Sequence, residues 1–185
     1  MDFRRPVVGT VRFVPGVVAH LRGHRQLAPD RPEAGGILLG RLILGTADVV
    51  VDEACGPSSH DRRSRHRFLR ARRPAQETVD QAWTRSDGTL IYLGEWHTHP
   101  EDHPTPSCID RRSWAQTVRR ATFEQDFLLF VIVGRAALRV WEVSVATGPP
   151  SVVALDECVP SSARSAPPLN DGEQGQGPEQ ADDLL

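Results

Sequence analysis

The stretch GEWHTHPEDHPTPSCIDRRSW, Gly94 to Trp114, carries the end of a strand, a stiff loop and the start of a helix. Leu90–His97 reads as a strand that delivers two histidines, His97 and His99, to its end. Pro100, Pro104 and Pro106 hold the next residues extended. Ser107–Ala121 then reads as a helix, with Ile109, Trp114 and Val118 in an apolar pattern. Ser107-x-x-Asp110 before that pattern is a capping-box signature, with the carboxylate in the first turn for dipole reasons.

Working outward from there, the pattern alternates strands with helices. Val7–Val14 reads as a first strand, and Pro15 opens a helix over Gly16–Ala28 with Val17, Val18 and Leu21 on its apolar face. Pro29–Pro32 is a turn. Gly35–Leu44 and Ala47–Glu53 form a hairpin turning at Gly45-Thr46. Gly56–Arg73 is polar, lacks an apolar period and holds seven arginines from Arg62 to Arg73, so it reads as a mobile insertion or irregular loop. Pro74–Arg85 reads as a helix with Val79 and Trp83 four apart, followed by an Asp87-Gly88 turn. On the far side, Phe127–Val133 is a continuous apolar run, the mark of a strand buried on both faces. Ala137–Val145 follows a Gly134-Arg135 turn, and Val152–Leu155 adds an edge strand. The order β-α-β-β-α-β-α-β-β predicts an α/β domain with a mixed sheet and helices on its faces, over residues 1–159. Residues 160–185 are rich in Pro, Ser, Gly, Gln and acids, and are expected to be a disordered acidic tail.

Composition narrows the function classes. The chain has 185 residues, 39% of them hydrophobic, enough for a core without staples. No apolar run reaches the roughly 20 residues a membrane span needs, and the first ten residues lack a signal-peptide core. Cys55, Cys108 and Cys158 include no CxxC pair, which argues against a disulfide framework or a cysteine-rich zinc finger. A cytoplasmic protein without membrane contact is expected. The net charge of −2 argues against bulk nucleic-acid binding. That charge is uneven: residues 160–185 hold one arginine and five acids, leaving the rest at +2. All 22 basic residues are arginine, a compositional bias that also leaves no lysine amine to be conjugated.

The candidate chemistry sits at His97, His99 and Asp110, although His-x-His alone is a weak signal, two histidines near a loop are ordinarily solvated or hydrogen-bonded, and Asp110 alone reads first as part of a cap. Two histidines at i and i+2 on a strand share one face, about 6–7 Å apart at Cα, and can close on one metal ion. Two imidazoles and a carboxylate leave a fourth tetrahedral position open, the pattern of a catalytic zinc site. Such a site needs a general base, for which Glu33, Glu95, Glu101 and Asp102 are candidates. Glu95 is also placed to support His97 from the same strand face. His103 offers a third imidazole, but a loop histidine among acids and prolines is ordinarily solvated. His60 and His66 carry no spacing signal, and Cys108 is turned about 100° away from Ser107.

The combination of Glu33 opening EAGGILLG, then His97-Thr-His99-Pro, seven residues, and Ser107-x-x-Asp110 resembles the JAMM (MPN+) metalloprotease family. The resemblance covers roughly residues 5–157. It implies a cytidine-deaminase-like α/β/α sandwich and removal of ubiquitin or ubiquitin-like proteins from conjugates. It further implies zinc on His97, His99 and Asp110. Glu33 would carry a proton from the zinc-bound water to the leaving amine, and Ser107 would steady the tetrahedral intermediate. The string YLGEWHTHPEDHPTPSCIDRRSW is especially similar to bacterial members encoded beside E1- and E2-like proteins in anti-phage operons, of the CBASS type or encoding a ubiquitin-like protein. The arginine stretch matches the position of the first insertion of that family. By that analogy, Arg67 and Arg70, with Trp96, are expected to contact the substrate's C-terminal tail. Such a tail is expected to lie extended against a sheet edge.

Other readings share some of these residues. A peptidase trimming a sulfur-carrier precursor would use the same site on a linear bond. A non-catalytic scaffold has no need of all five polar residues. A nucleotide deaminase would want a Cys-x-x-Cys ligand pair, which is missing.

Overall fold

We describe a computed structural model of the chain, covering residues 1–145 and 150–158. The expected tail, residues 160–185, lies outside the described residues. The elements run β1 (Asp2–Arg4), β2 (Thr10–Phe13), α1 (Pro15–Gly23), β3 (Gly35–Leu42), β4 (Val49–Cys55), β5 (Arg62–Ser64), β6 (Arg67–Leu69), α2 (Arg72–Arg85), β7 (Ile91–Thr98), α3 (Cys108–Arg120), β8 (Phe127–Val133), β9 (Leu138–Ser144) and β10 (Ser151–Glu157).

Eight strands form one mixed sheet in the order β1-β10-β9-β8-β7-β3-β4-β2, closed by β1 pairing with both β2 and β10. The β2–β4 and β7–β8 pairs are parallel, and the others are antiparallel. The mixed α/β sheet is as expected. Its closure is not part of a layered expectation, and it rests on β1, a three-residue strand the sequence pattern does not reveal. Among the described residues, no helix is long and apolar enough to cross a membrane.

Strand β8 shows how the core divides. Phe127, Leu129, Val131 and Val133 join one apolar cluster with Val17 and Leu21 of α1. Leu128, Phe130 and Ile132 point the other way, to Trp114 and Val118 of α3. Trp114 stacks on Phe130 with ring centroids 4.8 Å apart. Helix α2 sits on Ile37 and Leu39 of β3 through Ala82. Helices therefore cover both faces of the sheet, which is why β8 can be apolar throughout.

The arginine stretch is the main departure from expectation. Instead of an irregular loop it folds as a hairpin, β5 against β6. The hairpin is seated on the sheet: Glu33 N–H donates to the Ser64 carbonyl at 2.8 Å, and Arg63 Nε donates to the Glu33 carbonyl at 2.6 Å. The Phe68 ring lies so close over Gly35 that a Cβ there would stand 2.4 Å from it. With one aromatic facing inward among arginines, the hairpin has no apolar period to read.

A bulge in β7 sets which side chains reach the site. Leu38 pairs with Gly94 but Leu39 pairs with Tyr92, so Leu93 is an extra residue. An extra residue reverses the alternation of faces beyond it. Tyr92 lies on the side of α2 and α3, whereas Leu93 and Trp96 both enter the α1-side core. Gly94 has φ +147°, and a Cβ there would stand 1.8 Å from the Leu129 carbonyl oxygen. Gly94→Ala should lower the unfolding free energy by more than about 2 kcal/mol in urea denaturation. Gly16→Ala, whose Cβ meets nothing within 4 Å, should change it by less than about 1 kcal/mol.

Candidate metal centre and active site

Strand β7 runs straight into the site, and the neighbouring strand brings Glu33. Gly35 pairs with His97 across β3 and β7. Just beyond, Thr98 N–H donates to the Ala34 carbonyl at 2.8 Å, and Ala34 N–H donates to Thr98 Oγ1 at 2.9 Å. Thr98 Oγ1 in turn donates to Gln26 Oε1 at 3.2 Å. The Gln26 amide nitrogen donates to the Arg31 and Arg65 carbonyls at 3.0 and 2.9 Å. Gln26 and Thr98 are fully buried, so these bonds form in a setting where an unmade one is costly. They lock the entry of β3 to the exit of β7 and thereby set Glu33 beside the histidines. Neither Gln26 nor Thr98 carries a motif; a small polar residue buried between two histidines is the one hint the sequence holds.

The loop after His99 is fastened to the β8–β9 turn. His99 N–H donates to the Val133 carbonyl at 3.0 Å, and Arg135 N–H donates to the Glu101 carbonyl at 2.6 Å. Arg135 Nε bonds the Asp102 carboxylate at 2.9 Å. The loop ends at Ser107, which caps α3: its Oγ accepts from Asp110 N–H at 3.2 Å, and its own N–H donates to Asp110 Oδ2 at 2.7 Å. The capping reading of this segment is thus right, and the cap also fixes the Asp110 carboxylate over the histidines.

His97 Nε2 lies 3.0 Å from His99 Nε2, 3.2 Å from Asp110 Oδ1 at its own side, and His99 Nε2 lies 3.5 Å from Asp110 Oδ2. Ligand atoms around one tetrahedral zinc, with bonds of about 2.0–2.1 Å, stand about 3.3 Å apart. The three side chains therefore fit a single such ion as they are placed, and they form the one group of this kind among the described residues. Burial opposes the ionised form of Asp110, but hydrogen bonds from His97 and His99 outweigh it and hold the carboxyl well below its usual range. The Asp110 carboxylate is thus charged at any ordinary pH, as a cation ligand must be. Burial opposes the charged form of His99 as well, yet the Asp110 hydrogen bond and charge raise its pKa. A cation on these ligands would compete with protons for the imidazoles.

Glu33 lines the same open cleft of about 740 Å³ as His97, His99, Ser107 and Asp110. Its residue is 5% exposed. Burial pushes its pKa up to about 7, with His99 pulling it down and Asp110 pushing it further up. That value suits proton transfer near neutral pH. The other carboxylates are engaged elsewhere. Glu95 is paired with Arg70 at 2.5 Å and accepts from the Tyr92 hydroxyl at 3.2 Å. Glu101 and Asp102 anchor the loop, with Glu101 3.9 Å from His99 Nδ1. Of the four base candidates, Glu33 is the one left facing the cleft with no ion pair.

The expected substrate contacts divide three ways. Arg67 is exposed on the cleft wall. Arg70 lines the cleft too, but half-buried and tied to Glu95. Trp96 borders the cleft as well, but its side chain is 1% exposed in the core, and its indole N–H donates to the Cys55 carbonyl at 3.1 Å. The bulge at Leu93 sends it there. His103 is exposed and outside the triad, and His60 and His66 stand on the hairpin side.

The pKa of Glu33 gives a test in the metal-free chain. A folded-state pKa raised from 4.5 to about 7 means that the folded chain holds its proton more tightly than the unfolded chain. The associated stability is present below about pH 4.5 and lost as pH rises through 7. Metal-free Glu33→Gln should therefore gain stability relative to metal-free wild type as pH goes from 5 to 8, read from urea midpoints. Parallel profiles would show that the carboxylate is not buried as described.

Comparisons with known proteins give the chain a family. Residues 16–144 match the family model for prokaryotic homologs of the JAB domain. The chain is 44% identical over 119 residues to a Vibrio cholerae protein, covering 64% of this chain and 72% of that one. It is 38% identical over 130 residues to a Pseudomonas aeruginosa protein (70% and 80%), and 35% identical over 134 residues to an Escherichia coli protein (72% and 80%). Each of the three is named CD-NTase/cGAS isopeptidase. A solution structure of a Desulfitobacterium hafniense protein is similar at TM-score 0.49 and 21% identity, over 77% of this chain and 89% of that one. With its site residues inside a match that spans most of its length, the chain belongs to the prokaryotic JAB-domain (JAB/MPN-like) family.

Proposed function

We propose that this chain is a zinc-dependent isopeptidase that releases a protein C-terminus from a lysine side chain in conjugates of a CD-NTase-type protein. Its setting in this reading is a cytoplasmic bacterial anti-phage conjugation system with E1- and E2-like partners and, on the acyl side, a ubiquitin-like protein or the CD-NTase itself. One observation carries the reading: His97, His99 and Asp110 converge at tetrahedral ligand spacing in a cleft that buried Glu33 shares. The names of the relatives support the substrate class. We take the α1, sheet and α2–α3 arrangement as a cytidine-deaminase-like sandwich, with residues 1–159 as the catalytic domain.

Zinc bound here would bring the pKa of a coordinated water to about 7 and polarise the scissile carbonyl. Glu33 then does the proton work. Buried on the cleft wall, it is placed to accept a proton from the attacking water and give it to the amine that leaves, so the amide nitrogen departs as a neutral amine. His97, His99 and Asp110 stay fixed, because a strand exit and a helix cap hold them. Ser107 Oγ now donates to Asp110 Oδ2 at 2.6 Å. To steady a carbonyl oxyanion it must turn that hydrogen toward the substrate, while its backbone N–H continues to hold Asp110. The open walls of the cleft admit an extended tail on one side and a lysine stem on the other. A scaffold role leaves the convergence of five polar side chains without a purpose.

The test is cleavage, by the full zinc-loaded chain, of a conjugate in which a CD-NTase is joined to a second protein by an isopeptide bond. Mass spectrometry should find a free C-terminal carboxylate and a free lysine amine. Glu33→Gln should keep zinc and lose about 10²- to 10⁴-fold in kcat. Full activity in Glu33→Gln, or an intact conjugate with loaded wild type, would overturn the reading.

A further inference from the structure

The cleft does not stop at the metal ligands. It continues between α2 and α3 as a groove of about 700 Å³, sharing Arg70, Arg72 and Thr117 with the cleft around the triad. Helix α3 borders both: Ile109, Ser113 and Gln116 line the triad cleft, Thr117 lines both, and Arg120 lines the groove, while Trp114 and Val118 pack in the core. Ile37, Val79 and Tyr92 give the groove an apolar floor.

Charge is mixed at the triad end, where Arg67, Arg70, Arg72 and Arg112 also line the cleft, and is basic alone in the groove beyond. Every carboxylate that lines this path, namely Glu33, Glu95, Glu101 and Asp110, lies at the triad end. The groove beyond has Arg70, Arg72, Arg73 and Arg120 and no acid. Arg70 is held by Glu95 and Arg73 by Glu77. Arg72 and Arg120 are exposed and, among the described residues, form no ion pair. Like charges that line one groove repel, and a negative group bound among them relieves that repulsion. A planar guanidinium is also suited to pair bidentately with a carboxylate.

We propose that this groove selects substrates by acidic residues: Arg72 and Arg120 bind carboxylates on the segment that precedes the scissile carbonyl. The inference rests on the isopeptidase reading above, and it adds a sequence preference to that reading. Only the acyl side of an isopeptide bond is a free chain end that can lie extended. The amine side is a lysine on another protein's surface. Ten residues of helix separate Asp110 from Arg120, a path of about 15 Å. An extended chain advances about 3.3 Å per residue. The preferred acids therefore stand about three to five residues before the scissile carbonyl.

The probes are ten-residue peptides amide-linked through their C-terminal carbonyl to the ε-amine of a fluorescent lysine, with Glu or Gln at those three positions. Full-length zinc-loaded protein should cleave the Glu peptide with kcat/KM about three- to thirtyfold above the Gln peptide, the range of two partly exposed ion pairs. That ratio should fall toward one in Arg72→Gln/Arg120→Gln and in high salt. Anisotropy binding of the same peptides to Glu33→Gln gives a readout independent of turnover. A Glu preference in binding without cleavage would sustain the groove and sink the isopeptidase reading. Cleavage or binding with no Glu preference would overturn the groove while leaving the isopeptidase intact. Arginine-dependent binding of a single-stranded oligonucleotide, with no preference among the peptides, would overturn it in favour of a nucleic-acid surface.

Discussion

An extra residue in one strand governs the placement of the chemistry. Strict alternation along β7 from Tyr92 would put Trp96 on the face covered by α2 and α3 and aim His97 into the apolar core on the α1 side. Leu93 interrupts that alternation, and Gly94 allows the backbone to press against the Leu129 carbonyl while it does so. Beyond the bulge, Trp96 fills the core and His97 emerges toward α3. The Thr98–Ala34 and Thr98–Gln26 bonds then lock this arrangement to β3. Glu33 and the histidine pair, 64 residues apart in sequence, become neighbours because of it.

The site is built from a strand exit on one side and a helix entry on the other. Each supplies its polar groups with a structural duty. Ser107 and Asp110 complete the cap of α3, and the cap's geometry aims the Asp110 carboxylate at the imidazoles. A capping reading and a metal-ligand reading of the same two residues are compatible here, since a carboxylate can accept from a backbone N–H and still offer an oxygen to a cation. Glu33 differs in kind: its backbone is pinned by the hairpin, while its side chain has no ion-pair partner among the described residues. A buried carboxylate without a countercharge costs stability, and it is this position that the proposed mechanism uses for proton transfer.

Much of this was legible. The apolar run of β8 marks its ends without error, because a strand buried on both faces leaves no polar position to blur them. The spacing His97-x-His99, Ser107-x-x-Asp110 marks the three side chains that converge, since a strand exit, prolines and a cap leave the loop few conformations. Three features were not legible for physical reasons. Strand β1 is three residues long and its pairing depends on strands distant in sequence. The β5–β6 hairpin buries one aromatic, Phe68, against a glycine, so it leaves no period. The bulge that sends Trp96 inward is set by close backbone approach between β7 and β8, which no local pattern encodes.

The central claim is that His97, His99 and Asp110 hold one catalytic zinc ion. Elemental analysis of wild type and Asp110→Ala, purified in parallel and checked for fold by circular dichroism, tests it most directly. The account predicts about one zinc per folded wild-type chain and a sharp loss in the folded variant. A wild-type chain that takes up no zinc after reconstitution, or an Asp110→Ala chain that retains a full equivalent, would contradict it.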